Sequence, residues 1–134
     1  MEDAFKKFVQ KITPITDKEF EQSIFGLKKR TLKKGELFIE QGKVCKQMAF
    51  IYRGILRGYY INEKGEEITA CFCPQNSLTT SYKSFILQNP SNNSIVALEE
   101  TELLIISYNQ IQELYSKNPV WQTIGRLVAE KEFI

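Results

Sequence analysis

The sequence contains no histidine, and that absence removes more chemistry than any single motif adds. Ser-His-Asp and Cys-His arrangements need imidazole as their base. Catalytic zinc sites and metal-dependent barrel enzymes of the cupin kind draw on imidazole ligands, and haem held through an axial histidine goes with them. No apolar run approaches the roughly 20 residues that span a bilayer. The first residues, MEDAFKKFVQKI, intersperse charge where a signal peptide would be continuously apolar. There is no phosphate-binding GxxxxGK[ST] pattern and no GxGxxG. The paired acids Glu66-Glu67 and Glu99-Glu100 are adjacent, so on a strand they point to opposite faces and cannot share a reacting group. These absences predict a cytoplasmic chain with no membrane partner, no catalytic residues, no metal and no cofactor: not an enzyme.

Cysteine and charge are also sparse. Three cysteines, Cys45, Cys71 and Cys73, are an odd number and do not make a disulfide framework. Cys71 and Cys73 lie two apart in an apolar stretch that reads as a strand, so both face one side. Burial as small hydrophobes is favoured over metal binding. A redox role would need an exposed thiol of low pKa. The net charge is only +2, short of the basic footprint of a dedicated nucleic-acid binder. The densest basic cluster, Lys28, Lys29, Arg30, Lys33 and Lys34, reads as a solvated strand edge, where lysines oppose edge-to-edge pairing.

What is present is enough for one core. The 134 residues are 43% hydrophobic and 25% charged, ordinary for a single domain, and organise into a helical lead-in (1–26), a β-region (27–106) and C-terminal helices (107–134). Phe5, Phe8, Val9 and Ile12 recur at helical spacing until Pro14. Thr16 with Glu19 forms a capping-box pattern ahead of a short helix whose apolar face is Phe20, Ile24 and Phe25, with Gly26 as its stop. Short stretches punctuated by glycine then read as strands: Leu37–Glu40, Met48–Tyr52, Ile55–Ile61, Glu67–Phe72, Ser94–Leu98 and Glu102–Ile106. The segment 62–66 is a hairpin turn with Gly65 available. Asn76–Ser81 is hydroxyl-rich and polar, Tyr82–Leu87 is a short helix, and 88–93 is loop. Ser107 caps a helix over Tyr108–Ser116, and Asn118-Pro119 opens the last one. There Val120, Trp121, Ile124, Leu127, Val128 and Ile134 form an apolar stripe. Evenly spaced short strands between helical ends predict a mainly β fold with flanking helices, a sandwich or barrel.

Three phrases in order carry a resemblance. Lys34-Gly35-Glu36-Leu37-Phe38-Ile39-Glu40-Gln41-Gly42, Tyr52-Arg53-Gly54-Ile55-Leu56-Arg57 and Ala97-Leu98-Glu99-Glu100-Thr101-Glu102-Leu103 resemble the effector domain of the Crp/Fnr family of transcription regulators. The resemblance covers nearly the whole chain. It implies a double-stranded β-helix (jelly-roll) barrel of the cyclic-nucleotide-binding type, and a long C-terminal helix that pairs two copies as a homodimer. DNA would be read only through a helix-turn-helix absent from this chain, which ends within the presumed dimer helix without a stop signal. Val120, Trp121, Ile124, Leu127 and Val128 are the expected dimer surface.

The resemblance also implies a phosphate cassette: backbone N–H groups of a short helix, a glycine for close approach, a glutamate for the ribose and an arginine for the phosphate. Here the Gly-Glu positions fall on Thr79 and Thr80, and the arginine position on Ser91. No Arg or Lys occurs between Lys83 and Lys117. A hydrogen bond to a charged group is worth roughly 1.5–3 kcal/mol, so losing the cation costs about tenfold to a hundredfold in affinity. The expectation is a domain that does not bind cyclic AMP tightly. Thr79, Thr80, Ser81, Tyr82, Ser91, Asn92, Asn93 and Ser94 are the candidate residues for a different small effector. The bland alternative is that these hydroxyls and amides simply cap turns. At the level of the whole chain, the alternative to a regulator's sensor is a stand-alone protein-interaction scaffold with a degenerate pocket.

Overall fold

The computed structural model describes residues 1–132. Helix α1 (Glu2–Ile12) buries Phe5 and Val9 and stops before Pro14, whose ring cannot continue it. A complete capping box opens α2 (Asp17–Ser23): Glu19 N donates to Thr16 Oγ1 and Thr16 N to Glu19 Oε1, both at 3.1 Å. Ile24 is already the C-cap. Phe25 therefore falls beyond the last turn and leaves the helical period; the expected apolar contact is absent and its side chain is 91% exposed.

Eight strands follow: β1 (Lys28–Leu32), β2 (Leu37–Ile39), β3 (Gln47–Arg53), β4 (Leu56–Ile61), β5 (Glu67–Cys73), β6 (Leu78–Thr79), β7 (Ser94–Ala97) and β8 (Thr101–Ser107). They form two four-stranded antiparallel sheets, ordered β1-β8-β3-β6 and β2-β7-β4-β5. This is the jelly roll expected from the sequence, built as two sheets. Between β6 and β7 lies α3 (Tyr82–Leu87), and after β8 come α4 (Tyr108–Lys117) and α5 (Pro119–Glu132). Ile134, the last member of the apolar stripe, lies outside the described residues.

The burial pattern explains why β3 and β8 read as continuous apolar runs instead of alternating. One face of each meets the opposite sheet, where Ala49, Ile51, Leu103 and Ile105 pack with Leu56 and Ile95, and with Leu32 of β1 in their own sheet. The other face meets the helices: Met48, Phe50, Leu104 and Ile106 pack against Phe5, Phe20, Ile111, Trp121 and Ile124. Strands covered on both sides have no solvent face to mark with polar residues. Phe5 bridges the helical layer, its ring 5.1 Å from that of Phe50 and 5.6 Å from that of Phe20.

The edges are protected differently. β1 pairs only with β8, and Lys28, Lys29 and Arg30 are exposed while Leu32 alone is buried, as lysines on an edge strand require. The β4–β5 hairpin closes through Asn62, whose Oδ1 accepts from Lys64 N (3.0 Å) and Glu66 N (2.9 Å). Its register slips between Gly58↔Cys71 and Tyr59↔Thr69, leaving Ala70 as a bulged residue.

Candidate functional site

The cassette region is assembled from β5, β6, α3 and the loop that leads into β7. After Cys73 the chain turns through Pro74–Ser77, with Asn76 at φ 62°. It docks back on β3 by Asn76 N to Ile51 O (2.7 Å) and Ile51 N to Ser77 O (2.9 Å). That docking extends into the two-residue strand β6, where Thr79 pairs with Ala49 and Leu78 with Phe50. No strand signal marks this segment, because two residues in a hydroxyl-rich run have no periodicity to read.

Ser81, Ser91 and Asn93 meet in one cluster, the two serines buried and Asn93 half-buried. Ser81 Oγ lies 2.6 Å from Ser91 Oγ and 2.8 Å from Asn93 Oδ1, and Ser91 Oγ accepts from Asn93 N at 3.2 Å. Each hydroxyl carries one proton. Asn93 N–H donates to Ser91, Ser81 donates to the Asn93 side-chain carbonyl, and the single Ser91 proton is shared between Asn93 O at 2.7 Å and Ser81 Oγ at 2.6 Å. Ser81 precedes α3 but makes no side-chain capping bond, because its hydroxyl is engaged in this cluster. Thus Ser91 is turned onto its own neighbours, and no buried side-chain N or O among the described residues lacks a partner.

The other candidates divide. Thr79 Oγ1 donates to Cys73 Sγ at 3.3 Å, and Thr80 Oγ1 donates to Gln47 O at 2.9 Å. Ser94 Oγ accepts from Gln41 N at 2.8 Å and so ties two loops together, while Asn92 is exposed. Tyr59 stacks under Arg57 on the outer face, 4.6 Å from guanidinium carbon to ring centre. Thr79, Thr80 and Tyr82, with Met48, Cys71, Cys73, Leu78 and Val128, wall a cavity of about 280 Å³. None of the described residues lining it carries a charge. It therefore offers hydroxyls, thiols and apolar surface, and nothing to neutralise a phosphate.

Two features of this wall differ from the sequence reading. Cys71 is exposed and Cys73 half-buried, with only Cys45 enclosed. The cause is the position of β5 at the edge of its sheet, next to the bulge. Cys71 Sγ leans across onto Gly58, where an added Cβ would come within 2.6 Å of it. The expected dimer stripe is also divided. Trp121 and Ile124 belong to the chain's own core, at 2% and 5% exposure, whereas Val120, Leu127 and Val128 are half-buried.

Sequence reasoning missed Tyr115. Its hydroxyl sits against Gly125 of α5, where any Cβ would be 2.6 Å away, and its carbonyl accepts from Gln122 Nε2 at 2.7 Å. Burial, and then Tyr82, hold its phenol above the ordinary tyrosine range. A tyrosine opposite a mid-helix glycine was the available signal.

The sequence profile described as "Cyclic nucleotide-binding domain" matches residues 29–118. Among solved structures, a cyclic nucleotide-binding domain from Methylobacillus flagellatus superposes with a TM-score of 0.85 at 14% identity, over 96% of this chain and 74% of that one. The catabolite activator protein of Thermus thermophilus gives 0.77 at 20% identity, over 90% of this chain and 56% of that one. The sensor domain of the transcriptional regulator DNR from Pseudomonas aeruginosa gives 0.78 at 13%, over 98% and 89%. The chain thus spans little more than half of the catabolite activator protein. No curated protein sequence matches it. With the jelly roll, the short α3 after the cassette and the profile match over two thirds of its length, the chain belongs to the cyclic nucleotide-binding domain family.

Proposed function

We propose that this domain is the sensory module of a Crp/Fnr-type transcription regulator, that it binds a small effector other than cyclic AMP, and that it signals through α5. One observation carries the reading: a single cavity touches both the cassette segment, through Thr79, Thr80 and Tyr82, and the long helix, through Val128. An occupant there has differential contacts with two elements, which is what coupling requires. The fold shared with a catabolite activator protein and with a regulator's sensor domain supports it. In this reading the half-buried edge of α5 (Val120, Leu127, Val128) pairs with a second copy, and DNA is contacted through a further domain.

The self-satisfied Ser81–Ser91–Asn93 cluster favours a second reading, a scaffold whose pocket no longer signals. Val128→Trp separates them by filling the cavity from the helix side. The sensor reading expects amide hydrogen exchange to change together in the segment 77–87 and in α5. A change confined to α5 contradicts coupling and favours the scaffold.

A further inference from the structure

We propose that Cys71 and Cys73 are the ligands of a soft metal ion, monovalent copper, bound in the cavity between β5 and α5. The proposal rests on the reading of that cavity as the effector site and names the effector's chemical class.

The geometry removes the reason for treating these thiols as inert packing. They are two residues apart on β5 in unbroken register, Gly58↔Cys71 and Leu56↔Cys73, so both side chains stand on one face. Both line the cavity, as does Phe72 between them, which is 59% exposed. Cα atoms at this spacing are about 6.6 Å apart, a span that two metal–sulphur bonds of about 2.3 Å to rotatable sulphurs can close. Met48 brings a thioether to the same cavity from β3. Thr79 Oγ1 already donates to Cys73 Sγ at 3.3 Å, the kind of outer hydrogen bond that orients a ligand.

The donor set selects the ion. With no carboxylate or imidazole among its described lining residues, the site offers nothing that magnesium, calcium or manganese prefers. Among the described residues no group of three or more Cys, His, Asp or Glu is placed to hold a metal ion, which excludes a four-ligand zinc site built from them. Thiolate and thioether sulphur suit monovalent copper. Binding replaces two S–H bonds by two S–Cu bonds and releases two protons to solvent. Copper keeps its oxidation state, and affinity rises with pH.

The test is titration of the full, reduced chain under anaerobic conditions against copper(I) held by the chelator bicinchoninate, with amide exchange measured on the product. One copper per chain should be withdrawn, and X-ray absorption should show a sulphur-only shell. The double variant Cys71→Ser/Cys73→Ser should bind at least about a hundredfold more weakly, since outer-shell partners alone are worth 10–100-fold. Gly58→Ala, which displaces the Cys71 sulphur without removing it, and Thr79→Val should each weaken binding, with Thr79→Ser restoring it. Cys45→Ser should leave it unchanged. Failure to withdraw copper, or copper retained in the double variant, overturns the metal site and leaves the coupling reading to the Val128→Trp experiment. Copper bound through both thiols without any change in α5 exchange upholds the metal site and refutes the signalling.

Discussion

Trp121→Ala is expected to lower the unfolding free energy by about 3–5 kcal/mol, the range for emptying a large buried aromatic site. Each kcal/mol moves the midpoint of a domain this size by roughly 3 °C, so thermal unfolding should begin far earlier. The indole is 2% exposed and packs where α1, α2, α4 and the first sheet converge on α5. Its Nε1–H donates to Ser23 Oγ at 2.6 Å, and that hydroxyl donates in turn to Glu19 O. Trp121→Phe keeps much of the volume and loses the donor, so it should cost less. Because this residue fixes α5 to the domain, the alanine variant should also accelerate amide exchange in α5 before global unfolding. A loss below about 1 kcal/mol, the usual limit for surface changes being 0.5, would mean that α5 is not held in this way.

Gly54→Ala is the second large effect. Gly54 joins β3 to β4 at φ 104°, and an added Cβ would stand 2.8 Å from both Glu100 O and Thr101 Cα. These are backbone atoms at the start of β8, where Thr101 is fully buried, so they cannot swing away. The left-handed backbone costs an alanine roughly 1–2 kcal/mol and the overpacking another 1–3, giving about 2–5 kcal/mol in denaturant unfolding. Gly65→Ala is the control. It has φ 80° but open space around it, and should show the conformational part alone. Equal losses at the two sites would remove the packing half of the explanation.

The parts of this fold that the sequence made legible are those governed by local rules. The Thr16–Glu19 box, the Asn62–Glu66 turn and helix 82–87 each depend on neighbours a few residues away, and all formed where their side chains predicted. Long-range effects were not legible. Phe25 carried the right spacing for a helix face, yet the helix ended two residues earlier. Trp121 and Ile124 lay on an apolar stripe that could equally have faced a partner or the chain's own core, and only the docking of α1 and α2 decided between them. Cys71 was expected inside because its strand is apolar; an edge position and a bulge left it exposed. The cassette was legible by what it lacked. The absence of a cation near Ser91 was plain from the sequence, whereas the closing of Ser81, Ser91 and Asn93 onto one another required the fold.

That closure underlies the proposed function: at the positions that the resemblance assigns to the phosphate site, hydroxyls and an amide bond one another. Titration calorimetry with cyclic AMP tests it most directly. No binding is expected in the micromolar range, because an incoming phosphate would find no cation among the described lining residues and would have to break the Ser81–Ser91–Asn93 hydrogen bonds. Micromolar or tighter binding, with the phosphate seated beside Thr79 and Ser91, would contradict it.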